Sequence, residues 1–221
     1  MTTYPLLRPD TTFDAVILAD GDYPCHPIPG NILSESKRLV CCDGAAVNAL
    51  SHYLDPMAVV GDGDSLPSSM KERLGNRLHI VNEQEYNDLT KATRYVTSHI
   101  KANASIAYIA ATGKREDHTL ANIFLLPFFL EELCVKPTMI TDHGYFVIAK
   151  GKQTIETFKG QQVSIFNISC TRLSATGLRW DTYAYQELWQ GALNEATDNT
   201  ITFDADGIYI IFRTFDKKVI E

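Results

Sequence analysis

The run FDAVILAD (13–20) is apolar on both faces of an extended chain and ends in an aspartate. Five short apolar runs follow it: RLVCCD (38–43), MAVVGD (57–62), LHIV (78–81), SIAYIA (105–110) and PTMITD (137–142). Such runs, rich in β-branched residues, are typical of strands covered on both faces. Segments with helical spacing lie between them, at 45–54, 87–100 and 117–133. This alternation predicts an α/β fold with a mostly parallel sheet and helices on its faces.

The sequence pattern changes after about residue 144. Short β-like segments divided by Gly, Asp and Asn take over, with a single helical turn expected near 185–190. We therefore expect two domains: a mostly parallel α/β domain over residues 1–146 and an all-β, sandwich-like domain over residues 147–221. The Pro-rich segment 21–36 is expected to be a loop, either over a site or on the surface.

Composition excludes several classes of protein. The 221 residues carry 20 Lys and Arg against 27 Asp and Glu, a formal charge of −7. This balance argues against a nucleic-acid partner and against adsorption to an anionic membrane. The five cysteines show no metal-binding spacing, and the N-terminus does not resemble a signal peptide, so we expect reduced thiols in a cytoplasmic protein. An acidic protein that acts on phosphate compounds needs a source of positive charge, most simply a divalent metal.

Aspartates are concentrated where the predicted strands end. Because the carboxyl ends of parallel strands meet at one edge of a sheet, these side chains are expected to lie together. Oxygen ligands of this kind suit Mg²⁺, which neutralises their mutual repulsion. Four aspartates end strands and three more follow in nearby loops: Asp20, Asp43, Asp62 and Asp142, then Asp64, Asp88 and Asp117.

Each of these residues also has a plain structural interpretation. Taken singly, Asp43 and Asp117 are typical helix caps, and Asp142 is typical of a turn. Lys91 follows Asp88 by one helical turn, where a surface ion pair is as reasonable as a phosphate contact. The spacing of two aspartates between glycines in GDGDS (61–65) favours a functional role.

Two further segments also allow both a functional and a structural interpretation. In TGKREDH (112–118), a Gly-led turn before a helix favours phosphate binding, and Arg115 is either a phosphate clamp or an exposed arginine. In SATGLRW (174–180), Trp180 is either a core residue or a platform for a cationic ligand. On the residues alone, His118 and His143 are expected to be structural.

Six motifs in order resemble the thiamine pyrophosphokinase family. CCDGAAVNAL is similar to the family's DGGAN, GDGDS to GDxDS, NEQEYNDLTKA to DQDxTDxxKA, ATGKREDHTLANI to GxxGGRxDHxLAN, SATGLRW to S-x-GLKW, and GALNEATDN to the following SNE segment. The chain departs from this pattern at several positions. Lys114 stands where the family has glycine, and Leu193 where it has serine; the others are Ala45, Val47, Glu83, Glu85 and Asn87.

The resemblance implies a role for each matching residue. The implied catalytic residues are Asp62, Asp64, Asp88, Lys91 and Asp117, of which Asp62, Asp64 and Asp88 are the implied Mg²⁺ ligands. The implied nucleotide-binding residues are Asp43, Gly44, Ser65, Gln84, Arg115, His118 and Asn122. The implied thiamine-binding residues are Ser174, Trp180 and Asn194.

The resemblance also implies a reaction. ATP, with Mg²⁺, would donate its β,γ-diphosphoryl unit to the hydroxyl of thiamine, giving thiamine diphosphate and AMP. The family is a homodimer in which thiamine lies between the α/β domain of one subunit and the β domain of the other. Two alternatives stay open: a Mg²⁺-dependent nucleotide phosphotransferase with another alcohol acceptor, and a non-catalytic protein that binds thiamine or a nucleotide.

Overall fold

The structure, a computed structural model, describes residues 3–217. The strands are β1 (Thr3–Tyr4), β2 (Ala15–Leu18), β3 (Leu39–Cys42), β4 (Ala58–Gly61), β5 (Leu78–Ile80), β6 (Ser105–Ile109), β7 (Lys136–Ile140), β8 (Gly144–Lys150), β9 (Gln153–Glu156), β10 (Gln161–Asn167), β11 (Leu173–Thr176), β12 (Asn194–Glu195), β13 (Thr200–Ala205) and β14 (Ile208–Lys217). The helices are α1 (Pro27–Ser34), α2 (Ala45–Ser51), α3 (Ser68–Leu74), α4 (Asp88–Thr97), α5 (Glu116–Phe124) and α6 (Leu126–Glu131). Short 3₁₀ helices cover Gly75–Arg77 and Leu188–Gly191. Among these residues no helix combines the length and apolarity needed to cross a bilayer.

The chain divides into two compact units. One comprises residues 9–142, and the other combines the residues up to 8 with those from 143 onward. The predicted boundary at 146/147 therefore lies close to the observed division. The N-terminal residues differ from the prediction, because β1 pairs in parallel with β9 and so belongs to the second unit.

The first unit is a parallel sheet in the order β7-β6-β2-β3-β4-β5. Every residue of β2, β3 and β4 is buried, as expected for strands covered on both faces. Ile17, Ile106 and Tyr108 are among the residues with no exposed surface at the centre of this sheet. The predicted α/β class is confirmed.

The helices of this unit keep the predicted order with three differences, because α1 and α3 are additional and one expected helix is divided. Helix α4 lies against β2, β3 and β4 and buries Leu89, Ala92 and Val96 beneath it. The expected helix over 117–133 is two helices, α5 and α6, and Pro127 lies in the first turn of the second. A proline has no backbone N–H to continue the earlier helix, so its ring is accommodated where a new helix begins.

The Pro-rich segment 21–36, expected to be a loop, contains helix α1. Pro27 is at the first position of the helix, where the missing N–H costs nothing, and the His26 ring accepts the backbone N–H of Ile28. The Asp142 carboxylate accepts the backbone N–H groups of Cys25 and His26. Asp142 therefore fixes the start of α1 through a tertiary contact. No local sequence pattern predicts this contact.

The second unit contains two sheets, ordered β1-β9-β13-β11 and β12-β10-β14-β8. Apart from β1 with β9, the strands of these sheets pair antiparallel among the described residues. The Phe203 ring of β13 lies 5.0 Å from the Tyr209 ring of β14, so the two sheets share a core. The predicted sandwich-like arrangement is confirmed.

Candidate active site

A cavity of about 470 Å³ opens at the carboxyl edge of the parallel sheet. Its walls come from the residues that follow β2, β3, β4, β5 and β6, together with residues of α4 and α5. Ten of the predicted site residues line it: Asp43, Gly44, Asp62, Ser65, Gln84, Asp88, Lys91, Arg115, His118 and Asn122. Asp64 and Asp117 lie beside it without lining it.

Asp43 is the most deeply placed carboxylate of the cavity, with only 3% of its surface exposed. Its Oδ2 accepts the backbone N–H of Ser65 at 3.0 Å, whereas its Oδ1 is buried with no hydrogen-bond partner among the described residues. A side chain on Gly61 would place its Cβ 2.6 Å from that of Asp43, so this strand end requires glycine. A buried carboxylate oxygen without a donor calls for a partner from outside the protein, such as an ordered water molecule or a cation.

The GDGDS segment forms a tight turn that presents Asp62 to the cavity. Gly63 takes a left-handed conformation with φ at +81°, and the backbone N–H of Asp64 donates to the Asp62 carboxylate at 3.1 Å. The Asp64 side chain is exposed outside the cavity lining. Its backbone orients Asp62, and its predicted role as a metal ligand stays a prediction.

Asp88 and Lys91 form an ion pair at the start of α4. The Lys91 Nζ lies 3.4 Å from the Asp88 carboxylate, and the side chains are 4% and 38% exposed respectively. Burial raises the pKa of Asp88; the Lys91 charge opposes this, and the negative charges of Asp43 and Asp62 add to it. The coupling of these three carboxylates follows from their position at one edge of the sheet.

The chemistry of these carboxylates fits Mg²⁺. The described residues contain no group of three His, Cys, Asp or Glu side chains already arranged around one metal position. Mg²⁺ commonly takes only one or two protein carboxylates and fills its other positions with water and substrate phosphates. The unpartnered Oδ1 of Asp43 and the crowded carboxylate of Asp88 are hard oxygen donors of the kind it prefers.

Cationic groups occupy the rim near the start of α5. The Arg115 guanidinium donates twice to the Asp117 carboxylate, at 3.0 and 2.6 Å, and both side chains are exposed. This hydrogen bonding holds the pKa of Asp117 below its ordinary value. The Lys114 Nζ lies 3.0 Å from the carboxylate of Asp20, the residue that ends the run before α1. Asp117 therefore orients Arg115 from outside the cavity.

A chain of amide side chains joins two elements of the wall. Asn87, the N-cap of α4, accepts the backbone N–H of Thr90 and donates to the Asn122 side chain at 3.0 Å. Asn122 in turn donates to the carbonyl of Ala111, just after β6, at 2.8 Å. Asn122 thus connects α5 with the ends of β6 and α4, which gives the cavity a fixed polar wall.

Sequence reasoning missed several lining residues as site members. Asp20 was expected at this edge as a strand-end aspartate but was given no role, and Lys114 lies inside the TGKREDH motif. Asn87 was noticed only as a departure from the family pattern. No sequence pattern predicts that Tyr86 lines the cavity, because its position depends on the path of an irregular loop.

The second unit has its own cavity, of about 340 Å³, beside Trp180. Trp180 is 52% exposed, and the rings of Tyr183 and Tyr185 meet edge to face 4.4 Å apart on the same lining. Asn194 is buried and brackets the Trp180 backbone, accepting its N–H at 3.2 Å and donating to its carbonyl at 2.9 Å. Ser174, on β11, is exposed outside this lining, so its predicted role in binding stays a prediction.

The chain matches family models in both units. The model described as "Thiamin pyrophosphokinase, catalytic domain" matches residues 30–134, and "Thiamin pyrophosphokinase, substrate-binding domain" matches residues 144–212. No curated protein sequence matches the chain.

Solved structures share the fold at low sequence identity. Thiamin pyrophosphokinase from Candida albicans has a TM-score of 0.79 at 17% identity, over 97% of this chain and 92% of that one. Yeast thiamin pyrophosphokinase has a TM-score of 0.77 at 18% identity, over 96% and 90%. The Bacillus subtilis enzyme has a TM-score of 0.72 at 22% identity, over 93% and 100%. With both family models matched in order along one chain of this fold, the chain belongs to the thiamin pyrophosphokinase family.

Proposed function

We propose that the protein transfers the β,γ-diphosphoryl unit of ATP to the hydroxyl of thiamine, with Mg²⁺, and releases AMP. The observation that carries the proposal is the cavity in which Asp43, Asp62 and Asp88 lie beside Lys91 and Arg115. Carboxylates for a metal and cations for phosphate in one cleft match the needs of a metal-bound triphosphate. Membership in the family supports the same reaction.

Asp43, Asp62 and Asp88 would hold Mg²⁺, with Asp43 contributing the Oδ1 that lacks a protein partner. When bound, the ion supplies positive charge to the phosphate oxygens as the bond to AMP breaks. Lys91 and Arg115 would hold the remaining phosphate oxygens and keep the β-phosphorus in line with the attacking hydroxyl. Asp64 would contribute by orienting Asp62 through its backbone N–H, and Asp117 would contribute by orienting the Arg115 guanidinium.

Asp88 is the proposed acceptor of the hydroxyl proton. It lies in the cavity beside Lys91, among the groups that would hold the metal ion and the phosphates. Transfer of the proton accompanies formation of the new P–O bond, when the hydroxyl becomes acidic, so a weak base suffices.

The Trp180 cavity is the proposed thiamine site. Thiamine is an aromatic cation, and the aromatic lining formed by Trp180, Tyr183 and Tyr185 suits a flat ring with positive charge. Asp181, in the same lining, adds a negative charge. The overall charge of −7 favours the approach of a cation.

Self-association as a homodimer is part of the proposal. Several large apolar side chains between residues 180 and 193 are exposed, among them Trp189 at 75% and Leu193 at 71%. Exposed apolar groups of this density support an interface with another chain. Sedimentation velocity is expected to give a dimer mass, and a monomer at all concentrations would refute this part.

The cysteine pattern of the sequence supports a cytoplasmic location.

The direct test is incubation of the protein with ATP, thiamine and Mg²⁺, followed by chromatography of both products. Equal amounts of thiamine diphosphate and AMP are expected, with none when EDTA is present. Release of ADP would indicate transfer of a single phosphoryl group. A panel of other alcohols, offered in place of thiamine, identifies a phosphotransferase with a different acceptor. Binding of both substrates by calorimetry without turnover would identify a non-catalytic binding protein.

A further inference from the structure

Lys114 has an unusual backbone for a residue with a side chain. It adopts a left-handed conformation with φ at +57°, and its ammonium lies 3.0 Å from the Asp20 carboxylate across the cavity rim. A left-handed lysine is less favourable than a left-handed glycine, and the family pattern has glycine at this position. Residues in such strained conformations cluster at active sites and ligand-binding sites.

The turn that carries Lys114 is held from several directions. Gly113 also has a positive φ, of +82°, and its N–H donates to the Thr119 hydroxyl at 3.1 Å. Asp22 packs so closely against Gly113 that any Cβ there would collide with its carboxylate. The Arg115 N–H donates back to the Gly113 carbonyl at 2.6 Å. The backbone on both sides of Lys114 is thus fixed, and its ammonium is directed over the cavity.

The described residues place three cationic side chains on the cavity lining, and they differ in how firmly each is held. Lys91 is 4% exposed beside Asp88, and Arg115 is bound by two hydrogen bonds to Asp117. Lys114 and Asp20 are each about half exposed and share one ion pair. An exposed single ion pair is weak, so Lys114 is the cation that a phosphate recruits at least cost.

We propose that Lys114 is a further polyphosphate-binding residue of this protein, and that Asp20 is its ion-pair partner before a polyphosphate binds. Asp20 holds the ammonium over the cavity, and a bound polyphosphate takes that ammonium over from the carboxylate. The inference rests on the proposed function, since the polyphosphate is that of ATP. A lysine serves this purpose as a mobile point charge with a flexible stem.

The test is isothermal titration calorimetry with ATP and Mg²⁺ in the absence of thiamine. Lys114→Gln is expected to weaken ATP binding on the order of tenfold, the usual effect of losing one charged hydrogen bond. Lys114→Gly is expected to weaken it equally without lowering the thermal midpoint, because glycine accepts the left-handed backbone. Lys101→Gln is the matched control, since Lys101 forms a similar exposed pair with Asp14 outside the cavity and should leave ATP affinity unchanged.

Removal of the Asp20 charge should change the ATP affinity in the opposite direction. Asp20→Asn is expected to tighten ATP binding a few fold, and the double variant Asp20→Asn/Lys114→Gln is expected to bind ATP more weakly than Asp20→Asn alone. Wild-type affinity in both Lys114 variants, with the wild-type protein binding ATP, would overturn this inference and leave the proposed function intact. Weaker binding in Asp20→Asn would overturn the proposed transfer of the ammonium from the Asp20 carboxylate to the polyphosphate. Failure of the wild-type protein to bind ATP would overturn the proposed function itself.

Discussion

At the scale of single residues, the pKa of Asp88 reflects its burial in the cavity and the nearby charges of Asp43 and Asp62. Burial raises its pKa above the ordinary 3.8, and the charges of Asp43 and Asp62 raise it further. The folded protein therefore holds this proton more tightly than the unfolded chain does. The resulting stabilisation is complete below the unfolded-state pKa and is lost as the pH rises through the folded-state pKa.

The first prediction concerns this pKa. Asp62→Asn removes one of the negative charges that raise it, so the pKa of Asp88 is expected to fall towards its ordinary value. The measurement is a carboxyl ¹³C NMR titration of the metal-free protein. Asp204→Asn is the control, because Asp204 pairs with Arg172 in the second unit. An Asp88 pKa that is the same in the wild-type protein and in Asp62→Asn would contradict the coupling.

The second prediction concerns the partner of Asp88. Lys91→Met removes a buried ammonium and leaves the Asp88 carboxylate facing Asp43 and Asp62 without compensation. We expect a loss of roughly 1–2 kcal/mol in the free energy of unfolding, less than for a fully buried pair because Asp88 is partly exposed. Urea denaturation measures it, and the double variant Asp88→Asn/Lys91→Met should recover part of the loss. A double variant no more stable than Lys91→Met would refute this explanation.

At the scale of elements, the short strand β12 controls the position of Trp180. Asn194 on this strand hydrogen-bonds both polar groups of the Trp180 backbone and is itself buried. The third prediction is that Asn194→Ala raises the KM for thiamine severalfold with little change in the KM for ATP. In a Trp189→Phe background, Trp180 is the sole tryptophan, so its fluorescence should also change. Equal effects on both KM values would contradict a local role.

Element boundaries show what local patterns predict well and what they do not. The apolar runs identified β2, β3 and β4 because strands buried on both faces leave a continuous signal. Helix α1 was missed because its proline-rich sequence reads as a loop, and the start of the helix is fixed by Asp142, more than 100 residues away. Contacts between distant residues are invisible to propensity.

At the scale of the whole molecule, Arg213 ties together distant parts of the second unit. It is completely buried, and its guanidinium donates to the backbone carbonyls of Tyr4, Pro5 and Glu156. Burial lowers its pKa, while the ring of Tyr145 lies 4.7 Å from the guanidinium. These contacts attach the N-terminal segment to a strand more than 200 residues later in the sequence.

The fourth prediction follows from that geometry. Arg213→Lys cannot reproduce the forked hydrogen bonds, so the unfolding free energy should fall by about 3 kcal/mol. Hydrogen exchange of residues 3–8 should accelerate at the same time. Arg172→Lys is the control, as its side chain is exposed on the same unit. Unchanged exchange in Arg213→Lys would show that the N-terminal segment is held by other contacts.

In the candidate active site too, some features follow from the sequence pattern and others depend on contacts between distant residues. Parallel topology brings Asp43 and Asp62 to one cavity because they follow the ends of neighbouring strands, and Asp88 joins them from the start of α4. The outward position of Asp64 depends on the left-handed turn at Gly63, which a motif does not encode by itself. The ion pair of Lys114 with Asp20 joins two loops 94 residues apart, so it emerged only from the folded chain.

The central claim is that carboxylates from separate strands form one site for a divalent cation and a triphosphate. The most direct test is electron paramagnetic resonance of Mn²⁺, used in place of Mg²⁺, titrated with ATP into the protein. The wild-type protein should bind Mn²⁺ and ATP together, Asp204→Asn should match it, and Asp62→Asn should bind them at least roughly tenfold more weakly. Equal binding in the wild-type protein and in Asp62→Asn would contradict the account.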